Sequence, residues 1–359
     1  MLEKISLGRR AQQIDYIGLV LWIIRASIIV IVLWGTIKTI ISNPYPPQVW
    51  LNLIIFGIAQ GSMYALIAIG YTLVYGVLFM INFAHGEFFM SGIMTSTVLI
   101  AGPLNASGFL NRQPILSLLI ILVTSVAVSI GVSLLTERIA YRPLRGAPRL
   151  VPLITAIGAS YFWWNFFRGL FGSDIKPFPT VEILEGTVPF LGTQILKTHV
   201  LVIAVTIVLL IGLNLFILRT KTGKAIRAVA EHKDIAALMG IDVNRTISIT
   251  FAVGAAMAGA AGLLYALVYT NVHFYMGFIP GIKAFTAAVL GGIGSIPGAA
   301  VGGLFLGMFE SVGPALFLES LGIPAAHQLK DVIAFTMLVL VLIFRPQGIL
   351  GERLSEKKA

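Results

Sequence analysis

Cysteine is missing from this chain altogether, and charge is scarce: Asp, Glu, Lys and Arg make up 11% of its 359 residues, against about 25% in a soluble globular chain. Without cysteine there is no disulfide, no thiolate nucleophile and no thiolate-held metal. There is no Gly-x-x-x-x-Gly-Lys-Ser/Thr phosphate loop, so the chain does not hydrolyse ATP by that route. HExxH, EF-hand and nucleophile-elbow patterns are absent too. So are an Arg-rich voltage-sensor helix and a filter-like carbonyl ring. No metal, cofactor or catalytic residue is indicated. Segments of strict polar/apolar alternation do not occur, which excludes a membrane β-barrel. What the chain has in quantity is apolar surface, at 57% of residues. A soluble fold could not hide this much, so most of it must face lipid or other buried helices.

The apolar runs fall at about 17–41, 50–79, 82–101, 115–135, 151–171, 200–218, 247–270, 283–318 and 328–344. Spanning about 30 Å of hydrocarbon takes about 20 residues of helix, and the bilayer core admits only helices or protein-buried breaks in them. The expectation is an all-α polytopic membrane protein of about 9–10 transmembrane helices, some broken or re-entrant. Lys4, Arg9 and Arg10 before the first run resemble a signal peptide, but 17–41 is too long for a typical signal core, and an uncleaved first span is the reading. The domains read as 1–48 (a cytoplasmic segment and an extra span), 49–352 (the transmembrane domain) and 353–359 (a cytoplasmic tail).

The net charge of +10 would suggest nucleic-acid binding in a soluble protein. Here the basic residues sit in short loops between apolar runs, the pattern that sets orientation, and no nucleic-acid partner is implied. Loop 136–149 carries Arg138, Arg142, Arg145 and Arg149. Loop 219–246 carries Arg219, Lys221, Lys224, Arg227, Lys233 and Arg245. The tail carries Arg345, Arg353, Lys357 and Lys358. These loops and both termini are assigned to the cytoplasm. Loops 42–48, 102–113, 172–199 and 271–281 are assigned outside. Run 283–318 must then begin and end outside, as two short crossings or a re-entrant hairpin broken at Gly291-Gly-Ile-Gly-Ser-Ile-Pro-Gly298. Residues 50–101 exceed two spans, which suggests a second break near Asn82-Phe-Ala-His-Gly-Glu87. Paired interruptions point to a substrate path between two pseudo-repeated halves, 50–171 and 200–344. Small residues four apart (Gly298 and Gly302, Gly303 and Gly307, Gly254 and Ala258) suit close helix packing within the chain or across a dimer.

Two segments are candidates for chemistry. Asn82, His85, Gly86 and Glu87, with Gly292, Gly294, Ser295 and Pro297, are candidates for the substrate path, because intramembrane ionisable groups are costly and a broken helix offers free N–H groups. The bland alternative places 82–87 at the cytoplasmic interface, merely solvated. Residues 224–239 read as one exposed helix with Gly240 just past its end. Ile226, Val229, Ala230, Ala237 and Leu238 give no clean apolar stripe for a core. Such a helix either docks in a groove of a cytoplasmic motor or lies on lipid head groups.

The run from Gly57 to Gly70, the run from Tyr75 to Glu87, Tyr141-Arg-Pro-Leu-Arg-Gly-Ala-Pro148, Gly240-Ile-Asp242, Val289 to Gly298 and Phe344-Arg-Pro-Gln-Gly-Ile-Leu350 together resemble the branched-chain amino acid ABC transporter permease family. The likeness is to the first of its two paired permeases, over roughly 50–352. The resemblance implies a substrate-binding protein outside, a paired homologous permease, two cytoplasmic ATP-binding subunits, an amino-acid substrate and a bacterial inner membrane. It implies that Lys224, Arg227, Glu231, Ala236, Ala237, Gly240 and Asp242 lie in the motor-contacting loop. The span 17–41 departs from the shorter family pattern. Urea or sugar permeases and ion-coupled secondary transporters are the alternatives.

Overall fold

The computed structural model describes residues 16–42, 44–148, 150–345 and 347–351. The basic residues Lys4, Arg9, Arg10, Arg149, Arg353, Lys357 and Lys358, and with them the tail 353–359, lie outside the described residues. Twelve helices carry the fold: α1 (Tyr16–Ser42), α2 (Pro47–Leu78), α3 (His85–Ala106), α4 (Pro114–Leu144), α5 (Leu150–Phe171), α6 (Lys197–Arg219), α7 (Lys221–Glu231), α8 (Lys233–Leu238), α9 (Val243–Tyr269), α10 (Phe278–Gly291), α11 (Ile296–Leu321) and α12 (Ala326–Phe344). Among the described residues nine are long and apolar enough to cross a membrane: α1 to α6, α9, α11 and α12. The expected all-α, many-span class holds.

α10 has only 14 residues, about 21 Å of helix, which is short of a full crossing. Run 283–318 thus divides into a short helix and a long one at the glycine-rich turn. α4 continues past its apolar core into the expected loop 136–149, so Arg138 and Arg142 sit on its last turns.

Two small antiparallel β elements mark one end of the bundle. β1 (Lys176–Pro177) pairs with β4 (Asn271–Val272), and β2 (Thr187–Phe190) forms a hairpin with β3 (Thr193–Leu196). The same end holds the Asn111–Glu182 hydrogen bond at 2.9 Å, Thr193–Asn52 at 2.8 Å and Tyr45–Glu319 at 2.5 Å. The four loops expected on one side are therefore gathered at one end, called here the hairpin end. At the opposite end Arg145 bonds both Glu137 and Asn244, and Ser248 bonds Glu137 at 2.9 Å.

The centre is built on small residues. A side-chain carbon at Gly303 or Gly307 would meet the backbone of Ala65 or Gly61, and one at Gly254 would meet Gly70. Backbone contact this close gives helices in lipid their packing attraction. The spaced glycines read from the sequence thus act within the chain. α2 is buried along most of its length from Gly57 to Val77, with α9 and α11 packed on it. α1, α6 and α12 lie at the periphery, with apolar side chains such as Trp22, Trp34, Val208 and Val339 exposed.

Candidate functional site

The break between α2 and α3 comes first. α2 ends at Phe79, which takes the left-handed conformation at φ 54° and donates to the Tyr75 carbonyl at 2.7 Å. The Asn82 carboxamide oxygen then accepts from Ala84 N–H at 3.1 Å and from the Tyr141 hydroxyl at 2.6 Å. That pair turns the chain and starts α3 at His85. The 82–87 segment is not a solvated interface: Asn82, His85 and Glu87 are each at most 1% exposed.

His85 fills the notch that two glycines leave. A side chain at Gly70 would collide with its ring, and Gly70 faces Gly254 at mid-length of α9. The ring lies 4.8 Å from Tyr71 and 5.5 Å from Phe88, edge-on in both cases. The ring's polar contact is with the backbone of Ile67, and no side chain bonds either nitrogen. Two residues on, Glu87 takes a 3.0 Å bond from the Ser160 hydroxyl of α5 on one carboxylate oxygen, and its other oxygen, also buried, has no partner. An aromatic wall continues along α5. Trp164 sits one turn above Ser160, stacks on Phe278 at 6.2 Å and lies 6.1 Å from Phe274 and 6.3 Å from Tyr275. The interior thus offers a carboxylate with one free oxygen and an imidazole bonded to backbone, beside a bank of rings of which Tyr275 and Phe278 are partly exposed, groups able to take a polar head beside an apolar body.

The second candidate segment differs in kind. Gly292 and Gly294 have φ of 109° and 100°. Ser295 caps α11 by accepting from Gly298 N–H at 3.1 Å, with Pro297 in the first turn. The chain after α12 folds back over this turn: Ile349 and Leu350 N–H donate to the Leu290 and Gly291 carbonyls at 2.8 and 2.9 Å. The partners of 291–298 are therefore 347–351, while Gly86 packs on Gly277 and Gly281 at the other end of α10. Residues 277–281 were expected in an external loop. Tyr275, Phe278 and Ile279 are exposed, while Gly277 and Gly281 turn inward because facing glycines allow backbone-to-backbone contact with Gly86.

The 219–246 segment forms two helices rather than one. His232, with extended dihedrals (φ −149°, ψ 105°), separates α7 from α8. The expected lack of an apolar stripe is corrected: Gly223, Ile226 and Val229 are buried and seat α7 on α6, α9 and the end of α2. Lys224, Arg227, Glu231, Ala237, Gly240 and Asp242 are exposed, and Ala236 is buried behind them. Gly240 has φ 82° and closes α8 as expected; Asp242 caps α9 by accepting from Arg245 N–H at 3.0 Å. An apolar tip projects, with Leu238 at 86% and Met239 at 78% exposure. Lys233 lies 5.6 Å from the Phe79 ring. Partial burial, and secondarily the Arg145 charge, push its pKa down from the ordinary lysine value, against Asp234.

Sequence reading missed one interior cluster. Lys283 of α10 pairs with Glu310 of α11 at 2.5 Å and Asp331 of α12 at 2.6 Å. Each lies in or beside an apolar run, and only tertiary packing brings them together. The signal available was the presence of a Lys and a Glu inside a 36-residue apolar stretch, groups too costly there to stay unpaired.

Fold and site together define a polytopic helical membrane protein whose interior is broken by buried, incompletely paired polar groups. Comparison with known proteins narrows this. Residues 53–342 match the family described as branched-chain amino acid transport system / permease component. The chain is 44% identical over 311 residues to the high-affinity branched-chain amino acid transport system permease protein BraD of Pseudomonas aeruginosa, covering 86% of this chain and 98% of that one. The LivH permease proteins of the like-named systems of Salmonella typhimurium and Escherichia coli K12 are 42% and 41% identical, each covering 84% of this chain and 95% of theirs. The chain belongs to this permease family.

Proposed function

We propose that this chain is the membrane-spanning permease subunit of an ATP-binding-cassette importer that carries branched-chain or other neutral amino acids across the bacterial inner membrane. The observation that carries this reading is the 44% identity to BraD over 98% of that protein. In this reading the chain forms the path and takes its energy from two separate ATP-binding subunits. It works beside a paired homologous permease and receives substrate from a binding protein on the outer face. Both termini are cytoplasmic and the hairpin end faces out. In support, the basic residues Arg138, Arg142, Arg145, Lys224 and Arg227 belong to the end opposite the hairpins or to the α7–α8 unit attached there.

The α7–α8 unit is the motor-contacting element. Its exposed tip at Ile235, Leu238 and Met239 fits a groove on a partner better than water, and Lys224, Arg227, Glu231, Ala237, Gly240 and Asp242 surround it, with Ala236 holding it from behind. Closure of the motors on ATP moves this unit against α6, α9 and the end of α2. The polar break at Asn82, His85, Gly86 and Glu87 lies on the substrate path, and the turn at Gly292, Gly294, Ser295 and Pro297 anchors the short α10 that packs on it. Coupling requires that the unit make different contacts in the two states.

The test is reconstitution of the purified complex in liposomes with ATP inside and a leucine-loaded binding protein outside. ATP-dependent leucine accumulation is expected, and its absence from an assembled complex overturns the reading. Bulky residues at Ala236 and Gly240 should abolish ATPase co-purification and uptake; retention of both overturns the coupling role.

A further inference from the structure

The end of α2 and the start of α8 meet at one ring. Phe79 closes α2 in the left-handed conformation, at φ 54°. That backbone state is strained for a bulky residue, and glycine or asparagine takes it more easily. The Phe79 ring is also 48% exposed, so burial does not account for a phenylalanine there. Two groups lie on the ring: Tyr75, one turn back, edge-on at 6.2 Å, and the Lys233 ammonium at 5.6 Å. The lysine is equally out of keeping with its own segment. Glu231, His232, Asp234 and Ile235 are exposed, whereas Lys233 is half-buried.

This contact joins the α7–α8 unit to the polar break. On the first side, Lys233 begins α8 directly after the extended joint at His232, and a side-chain carbon at Gly76 of α2 would touch Ala230 of α7 at 4.0 Å. On the second side, Asn82 follows Phe79 by three residues, a length of chain that reaches at most about 10 Å. The Asn82 carbonyl accepts from His85 N–H at 3.1 Å, and its side chain accepts from Ala84 N–H and the Tyr141 hydroxyl. A displacement of Phe79 is therefore taken up at the turn that starts α3. Lys233 is also held between opposing influences. The ring face attracts its charge, and the Arg145 charge repels it, with Arg145 itself fixed by Glu137 and Asn244. A seat opposed in this way is shallow, and a small movement of α8 vacates it.

We propose that the cation–π contact of Lys233 on Phe79 is the point at which the α7–α8 unit transmits motor closure to the substrate path. Lys233 is a positioning residue: it holds Phe79, and through Phe79 the Asn82 turn, in one arrangement, and movement of α8 releases both. This rests on the amino-acid importer reading and names the contact that differs between the two states that coupling requires.

The experiment follows the reconstituted complex by two readouts: the ATP-binding subunit that co-purifies, and radiolabelled leucine imported per ATP hydrolysed. Lys233→Met keeps the apolar stem and removes the charge, and Phe79→Leu keeps apolar bulk and removes the ring face. Each should lower leucine per ATP by about 2- to 5-fold, the effect of losing an exposed cation–π contact, with the yield of ATP-binding subunit unchanged. Lys233→Arg and Phe79→Tyr keep a cation over a ring and should retain at least about half of the wild-type ratio. In the Phe79→Leu background, Lys233→Met should cost nothing further. An unchanged ratio in both single variants overturns the transmission role. So do losses that multiply in the double variant, which would make the two side chains independent packing groups. A yield of ATP-binding subunit that falls in step with uptake overturns it as well, because the contact would then serve docking. In each of these cases a wild-type complex that imports leucine leaves the importer reading standing. If the wild type imports none, the importer reading fails and the transmission role with it.

Discussion

Two breaks interrupt the apolar bundle, and in the sequence they look alike: a glycine beside polar residues in a run too long for its spans. In the structure they do opposite things. At 291–298 the freed backbone groups are satisfied by other backbone groups, through the cap at Ser295 and the returning strap at Ile349 and Leu350. No ionisable side chain takes part, and the turn is a splice. At 82–87 the backbone is turned by Asn82 and Tyr141, and the cost appears elsewhere: the buried Glu87 carboxylate keeps one bare oxygen. Buried polar groups left unpaired cost stability. The first break satisfies itself, and the second leaves a carboxylate oxygen wanting, so the proposed substrate path is tested there.

The largest predicted effect belongs to the splice. Gly292 has φ 109°, and a methyl there would meet the backbone of Gly351 and Gln347. Strain of about 1–3 kcal/mol adds to a collision with backbone that cannot swing aside. Gly292→Ala should lower the thermal midpoint of the purified protein, followed by tryptophan fluorescence, by about 5 °C or more. A midpoint within 1 °C or so of wild type would show that the splice is not rigid and would erase the contrast. At the other break the pattern reverses. Glu87→Gln is nearly isosteric and leaves the Ser160 bond possible, so the midpoint should move by less than about 2 °C. Leucine uptake should fall about 10-fold if the carboxylate serves the path. Unchanged uptake would return Glu87 to the status of a buried group without a role.

How much of this the sequence shows depends on the distance over which each feature is determined. Local chemistry is legible: the spans from apolar length, the break before His85 from Asn-Phe-Ala-His-Gly, the left-handed Gly240 at the end of α8, and the placing at one end of three loops nearly free of basic residues and of loop 172–199, whose Lys176 and Lys197 are balanced by acidic residues. Features needing two distant segments at once are not. Lys283 and Glu310 are 27 residues apart, and nothing local to either says that they meet. The inward turn of Gly277 and Gly281 depends on Gly86, which only a three-dimensional contact supplies. The buried stripe of Gly223, Ile226 and Val229 does not show when 224–239 is read as one helix: that span merges the faces of α7 and α8 across the break at His232 and leaves out Gly223, where α7 lies flat on the backbone of Phe216 and Ile217.

A smaller effect on stability, though not on assembly, is expected at the α7–α8 tip, which lies outside both breaks and so tests whether the contrast is confined to the bundle. Leu238→Ser with Met239→Ser changes two exposed side chains, and stability should move by no more than about 0.5 kcal/mol per site. The fraction of ATP-binding subunit that co-purifies should fall while the thermal midpoint of the permease holds. An unchanged yield of motor subunit would move the contact elsewhere on the cytoplasmic face.

The smallest effect probes the path through its support. Ser160→Ala removes the hydrogen bond to the Glu87 carboxylate and leaves the carboxylate in place. A bond to a charged acceptor is worth about 1.5–3 kcal/mol and one to a neutral acceptor about 1 kcal/mol. If Ser160 serves by orienting an ionised Glu87, its removal should lower leucine uptake severalfold, less than Glu87→Gln does, with little change in the thermal midpoint. The double variant decides between orientation and packing. Residues that act through one another are not additive, so in the Glu87→Gln background Ser160→Ala should cost nothing further. Were the two losses to multiply instead, the hydroxyl would be acting on its own account, as packing between α5 and α3, and the polar break at 82–87 would carry its chemistry without help from α5.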